Sequence, residues 1–348
     1  MMFLYKTLFW TFFFIFYLIC STNPVESSCN SEPLPVAKVI NHLSFRITDT
    51  IGGNDNLFFS PLSISLAMGM VYLGATDNTA EEIRSALGYN LLGNTTDEEV
   101  HLHFHSFLTD LGNGGDEYQL LIANSLFTQV GYDVLQEYAN NLGLYYHAQQ
   151  DSLDFASNGE EAIRIMNSWV SNKTKSKIPQ LFQTPLDTTT ILVLLNAVYF
   201  KGAWKYPFDS EASHYRNFYG YNGPKRIMFM RQTKRLDYYY DEESDHDFLE
   251  LLYKGNHISM VFALPRSENV SILDFNSETL CRVRNGFRRT SVEAYIPRFK
   301  LNYEKELSDI MKRFGINSAF DDNAALLLAS EARMTSRYLS FNIKQLLK

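Results

Sequence analysis

From Leu192 to Phe200 the chain is apolar at every position except Asn196. Such a run predicts a strand buried on both faces, because a strand with one wet side would alternate. Asn196 then lies in the core and needs hydrogen-bond partners. Lys201-Gly202 marks the exit turn, and Trp204 and Phe208 follow as large apolar anchors.

Helical periodicity runs from Val36 to Ile51 and stops at Gly52-Gly53-Asn54. A short apolar strand is predicted from Asn56, leading to Ser60-Pro61, an N-cap with proline at the first helical position. The next helix carries Leu62, Ile64, Leu66, Met68, Met70, Val71 and Leu73. It is apolar nearly all round, which predicts burial. Thr79-Ala80-Glu81-Glu82 reads as a capping box for a short helix closing at Gly88, and Ser157 to Glu160 as a second box. The helix after the second places Ile163, Met166 and Val170 on one face. A further helix is predicted over Tyr303 to Phe314, with Leu307, Ile310, Met311 and Phe314 as its apolar stripe and Gly315 as its cap. Strands are predicted at Tyr118–Phe127, Arg226–Met230, Leu236–Tyr240, Phe248–Tyr253, His257–Leu264 and Ser291–Phe299, with a hairpin turn at Gly255-Asn256. Helices and strands do not alternate regularly, so the expected class is α+β.

The 348 residues are 45% hydrophobic and 20% charged, enough for a large core. A net charge of −8 argues against a general nucleic-acid binder. The N-terminus differs in kind. Lys6 precedes an apolar run from Leu8 to Cys20, too short for a membrane span and suited to a signal-peptide core. Residues 1–20 are therefore expected to be a cleaved leader, residues 21–35 a polar tail, and residues 36–348 a single domain. Cleavage after Cys20 or within Ser21–Asn23 leaves Cys29 and Cys281, which in an oxidising compartment could pair with each other or remain separate. Sequons at Asn94, Asn172 and Asn269 are consistent with export, and no membrane attachment is expected after cleavage.

Chemistry-bearing motifs are few. The chain has no Gly-x-Ser-x-Gly, His-Glu-x-x-His or P-loop pattern, so an enzyme is not expected, nor is a cofactor. His101, His103 and His105 form a His-x-His-x-His run whose ligand set is incomplete in sequence, which reads as the polar face of a helix rather than a metal site. Arg282, Arg284, Arg288 and Arg289 form a basic cluster that could meet a polyanion such as a sulfated polysaccharide, or simply flank a hairpin.

Several segments, in order, resemble the serpin family of protease inhibitors. Leu192 to Phe208 (LVLLNAVYFKGAWKYPF) resembles strand 3 of sheet A, with Asn196, Trp204 and Phe208 at family positions. Asn56 to Ala75 resembles helix B, with Ser60 and Ser63 as the polar pair beneath sheet A. Ile122–Phe127 resembles strand 2A. Met166-Asn167-Ser168-Trp169-Val170, with Thr174 and Lys177-Ile178, resembles helix F and its exit. Ile258–Pro265 resembles a sheet B strand, Ile296–Phe299 strand 6A, and Phe314–Phe320 the end of helix I. The resemblance spans roughly Val36 to Ser340. It implies a mixed, mostly antiparallel set of sheets A, B and C with about eight or nine helices.

The resemblance also implies a mechanism. A target serine or cysteine protease attacks an exposed loop, and the cleaved loop inserts into sheet A as a new strand. Tyr338-Leu339-Ser340 resembles the opening of strand 5A, but Lys344 stands where the family usually places a histidine facing the buried serines. A buried lysine is costly there. Beyond Lys348 a serpin would continue with its hinge, reactive-centre loop and the last strands of sheets B and C. The expectation is therefore a chain truncated at its C-terminus, not inhibitory as written and weak in stability at an open sheet edge. A non-inhibitory carrier, chaperone or decoy is the alternative.

Overall fold

The computed structural model describes residues 2–3, 13–15, 35–51, 57–112, 117–220, 223–267, 276–320 and 342–347. Two short strands, β1 (Met2–Phe3) and β2 (Phe13–Ile15), precede four helices: α1 (Pro35–Ile51), α2 (Pro61–Leu73), α3 (Asp77–Ala86) and α4 (Asp97–Gly112). Strand β3 (Tyr118–Gln129), helix α5 (Gln136–Tyr146), strand β4 (Gln149–Leu153), helix α6 (Gly159–Lys173) and strand β5 (Leu192–Gly202) make the middle of the chain. Then come β6 (Asp209–Gly220), β7 (Gly223–Asp241), β8 (His246–Leu252) and β9 (Ser259–Pro265). Helix α7 (Ser277–Gly286), β10 (Arg288–Pro297), β11 (Leu301–Glu306), α8 (Ser308–Arg313) and β12 (Asn342–Leu347) follow. The eight α-helices among the described residues match the expected α+β class.

Three ladders organise the strands. One runs β4-β3-β5, one pairs β11 with β12, and the largest runs β1-β10-β7-β8-β9-β2, with β6 also on β7. The expected sheets B and C are thus one sheet here, joined through β7. That strand is 19 residues long where the sequence pattern predicts two. The polar stretch Gln232–Arg235 does not interrupt it, because β10 pairs opposite those residues without a break. The two N-terminal strands sit at the rims of this sheet, Met2–Phe3 beside β10 and Phe13–Ile15 beside β9.

Helix α2 is the axis of the main core. The Ser60 hydroxyl caps it by accepting from the Ser63 amide at 3.1 Å, and Pro61 fixes its first turn. Every residue from Leu62 to Tyr72 except Ala67 is buried, as the all-round apolar pattern predicts. Helices α1, α4, α5 and α8 close around it. A second apolar cluster fills the space between the large sheet and Trp204, Tyr206 and Phe208. A third, with Ile163, Met166 and Val170, seats α6 on β3 and β5.

Five local expectations are corrected. Residues 57–60 are not a strand; they lead into the α2 cap without a ladder partner. The Thr79 capping box does not form: Thr79 is buried inside α3, whose cap is Thr76. Glu82 instead accepts from the Asn317 and Ser318 amides, each at 2.8 Å. A box does form at α4, where Glu99 accepts from the Thr96 amide at 2.7 Å and the Glu99 amide donates to the Thr96 hydroxyl at 3.3 Å. The second box does not form either: Asn158, rather than Ser157, occupies the cap position of α6, and its side chain makes no capping hydrogen bond. The helix expected over Tyr303 to Phe314 is only α8, because Leu301–Glu306 is drawn into the β12 ladder; Leu307, Ile310, Met311 and Phe314 are nevertheless buried as the stripe predicts. The strand 6A match at Ile296–Phe299 likewise ends β10, and the strand paired with β12 begins at Leu301.

Leu66 is fully buried in α2, whereas Leu91 is 48% exposed. Leu66→Ala is expected to destabilise the fold by about 2–5 kcal/mol, and Leu91→Ala by about 0.5 kcal/mol or less. Urea unfolding midpoints of the two variants check this.

Candidate functional site

Among the described residues, β5 pairs only with β3, and β12 only with β11. The expectation of a strand buried on both faces is corrected here: Leu195 and Ala197 are buried, and most of β5 is half-buried because its outer ladder edge carries no partner among those residues. Asn196 sits directly opposite Asn124 of β3. Its amide donates to Asn124 Oδ1 at 2.7 Å, and the Asn124 amide donates to the Tyr146 carbonyl at 2.7 Å. Asn196 Oδ1 is buried and has no hydrogen-bond partner. The polar partners that the apolar run demands are therefore half supplied, by a residue the sequence reading did not single out. The signal was available in the pattern: Asn124 interrupts an apolar strand just as Asn196 does.

The chain of contacts continues into the helices. The Tyr146 hydroxyl and His101 Nδ1 share a hydrogen bond at 2.7 Å. His101 is 4% exposed and stacks on Tyr145, with Tyr72 at 5.4 Å. Burial lowers its pKa to about 4, so it is neutral near pH 7. Burial also raises Tyr72 to about 12, helped by its bond to Asp97 and opposed by Arg84. Close packing explains Gly69 on α2: a Cβ there would lie 2.6 Å from the Tyr146 hydroxyl oxygen.

The other family positions serve separate places. Ser60 and Ser63 form the α2 cap, and α2 packs against β5. Asn167 pins the segment after α6, accepting from the Leu181 and Phe182 amides at 2.7 and 2.9 Å and donating to the Phe182 carbonyl at 2.8 Å. Trp204 stacks on Tyr253 at 4.3 Å in the cluster on the large sheet. Lys344 lies in β12 opposite Glu304, while Tyr338–Ser340 fall outside the described residues.

The basic cluster is largely committed within the chain. Arg282 on α7 forks onto the buried Asp241 at 2.7 and 2.9 Å and also reaches Glu243. The Arg282 hydrogen bonds hold the Asp241 carboxyl down at about 2, against the effect of burial. Arg289 pairs with Asp237 and the Tyr206 hydroxyl, each at 3.0 Å, and Arg288 donates to the Asn285 and Phe287 carbonyls. In the stretch Thr79 to Asp97, Arg84 is likewise spent on Asp97 and Thr95. Cys281 on α7 is disulfide-bonded, and Cys29 lies outside the described residues. Of the sequons, Asn94 and Asn172 are exposed and Asn269 is outside the described residues. No described helix is long and apolar enough to cross a membrane.

His101 gives the site a defined pH response. Its pKa falls from 6.5 to about 4 on folding, so the unfolded chain binds a proton that the folded chain refuses. The contribution is intact above pH 6.5 and is lost as the pH falls toward 4, to a total of about 3 kcal/mol. His246, lowered mainly by burial, acts in the same direction. Asp241 and Glu82, whose folded pKa values lie below the ordinary carboxylate range, act only at lower pH. Urea unfolding at pH 7.5, 6 and 5 is expected to show falling stability, with a shallower fall in His101→Gln.

Comparison with known proteins agrees with this geometry. The family model "Serpin (serine protease inhibitor)" matches residues 38–340. Human serpin B4 is 34% identical over 290 residues, covering 78% of this chain and 74% of its own length. Iripin-8 of Ixodes ricinus is 33% identical over 316 residues, covering 88% and 78%. Among solved structures, the thyroxine-binding globulin complex with thyroxine superposes with a TM-score of 0.80 at 28% identity, covering 90% of this chain and 86% of that one. Emu ovalbumin, at a TM-score of 0.75 and 22% identity over 84% and 80% of the two chains, shares the fold. The chain belongs to the serpin, or serine protease inhibitor, family.

Proposed function

We propose that this protein is a secreted serpin of the endopeptidase-inhibitor type, in which the β5 edge accepts a protease-cleaved reactive-centre loop as a new strand when such a loop is present. The observation that carries the reading is the edge of β5 that has no ladder partner among the described residues. A strand arriving there would complete backbone hydrogen bonds along the edge, and strand addition of this kind is a recognised way to drive a protein from a strained to a relaxed state. Relatives named as inhibitors, such as the intracellular coagulation inhibitor 2 of Tachypleus tridentatus at 34% identity, support it. The target would be a serine or cysteine protease, its identity set by the reactive-centre loop. A carrier function is the second reading, favoured by the superposition on thyroxine-binding globulin.

Secretion rests on the leader pattern of residues 1–20, and glycosylation on the exposed Asn94 and Asn172. Expression in a eukaryotic cell is expected to deliver the protein to the medium, with a mass that falls on endoglycosidase treatment. Retention in the cytosol at the unmodified mass would reject this part of the reading.

The inhibitory mechanism is tested by mixing serine and cysteine proteases with a form of the protein that carries a reactive-centre loop. The expected result is an adduct that survives denaturing electrophoresis, together with a loop-cleaved form that melts at a higher temperature than the intact one. Clean cleavage with no adduct and no rise in melting temperature would favour the carrier.

A further inference from the structure

The histidine run of α4 is resolved by the fold into three different environments. His101 is buried against Tyr146. His103 lies two residues on, turned about the helix axis from its neighbours. His105 meets His147, the residue that ends α5, with ring centroids 5.4 Å apart and planes at 85°. His105 Nδ1 is buried and has no hydrogen-bond partner, and His147 is exposed. The sequence alone left the ligand set incomplete; the packing of α4 on α5 brings a second imidazole to it.

We propose that His105 and His147 form a two-imidazole site for a borderline divalent transition metal, zinc in particular. Three observations support it. Two imidazoles on one tetrahedral zinc, with Zn–N bonds of about 2.0–2.1 Å, hold their ring centres roughly 5 Å apart, close to the spacing seen here. The orphaned His105 nitrogen lacks the partner that a buried polar atom requires, and a metal ion would supply one. His147 stands at the C-terminus of an 11-residue helix, where the peptide dipoles favour a cation. Imidazole nitrogen suits zinc, copper and nickel better than calcium or magnesium.

Among the described residues no group of three or more His, Cys, Asp or Glu side chains gathers to hold a metal. The protein therefore contributes two ligands, and water or an external donor completes the shell. Such a site is accessible and exchangeable rather than closed and structural. Its position matters because His147 follows Tyr146, whose carbonyl holds Asn124 and so the β3–β5 amide pair. A metal bridging α4 and α5 would clamp the helix end from which that carbonyl projects.

The test is a titration of the protein with zinc chloride, read by calorimetry and by the thermal unfolding midpoint. The variants are His147→Asn, His105→Gln and, as a control on the same helix, His103→Gln. Asparagine suits position 147 because the backbone there is left-handed, with φ of 52°, a conformation asparagine tolerates. One equivalent of zinc is expected to bind and raise the midpoint, with affinity weakened about tenfold or more in His147→Asn and His105→Gln and unchanged in His103→Gln. Absence of saturable binding, or binding that His147→Asn leaves intact, would overturn the proposal. Since His147 is exposed, its variant remains informative even if His105→Gln fails to fold.

Discussion

The desolvation of amide groups between sheet and helices is the constraint on which much of this structure turns. Asn196 and Asn124 face each other across β5 and β3, and Asn124 reaches the carbonyl at the end of α5. A buried amide without partners costs roughly 1–3 kcal/mol, so strand register and helix position are set together. A one-residue slip of β5 would move Asn196 to the other face and strip Asn124 Oδ1 of its donor. The same chain of contacts passes through Tyr146 to His101, which fixes α4 to α5. Gly69 belongs to this arrangement as well, since only a missing Cβ lets α2 approach the Tyr146 hydroxyl.

Charged groups secure the opposite side of the molecule by a different rule. Asp241 ends β7 almost fully buried, and Arg282 reaches it from α7 with two hydrogen bonds. Asp247 is held in the same manner by Arg266, which also lies over the Tyr240 ring. The first pair ties α7 to the end of β7, and the second ties the residue after β9 to its neighbouring strand β8. Removing one partner would leave an uncompensated buried charge, so these pairs specify position strongly even where their net stabilisation is modest. Of the arginines that look like a polyanion patch in sequence, Arg282 is the cation of such a pair, Arg289 pairs with the partly exposed Asp237, and Arg288 donates to backbone carbonyls.

The legible parts of the sequence were those in which one periodicity dominated. Helix α2 was readable because a helix apolar all round has few places to go except the core, and Ser60-Pro61 marked its start. Strands β3 and β5 were each readable from their apolar residues, although their pairing through Asn124 and Asn196 was not. Cases of competing signals were misread. Leu307, Ile310, Met311 and Phe314 have helical spacing, yet the preceding residues are strand because a partner from beyond the local window pairs with them. Glu82 has the spacing of a capping box, but two amides some 235 residues away compete for its carboxylate and win. His147 could not be joined to His105 from sequence, since their proximity depends on how two helices cross.

Asn196 Oδ1 links these physical arguments to the family's activity. A buried, unpaired acceptor on a strand whose outer edge has no ladder partner among the described residues makes the present arrangement less favourable than one in which a donor reaches that oxygen. The same burial that makes the asparagine pair a precise register device thus leaves one oxygen in deficit. A strand arriving beside β5 would gain the ladder bonds along its edge, and a side chain bringing an N–H to that oxygen would separately relieve the orphaned group. A fold that settles its register with buried polar groups can in this way keep one edge both specific and receptive, which is what insertion of a cleaved loop requires.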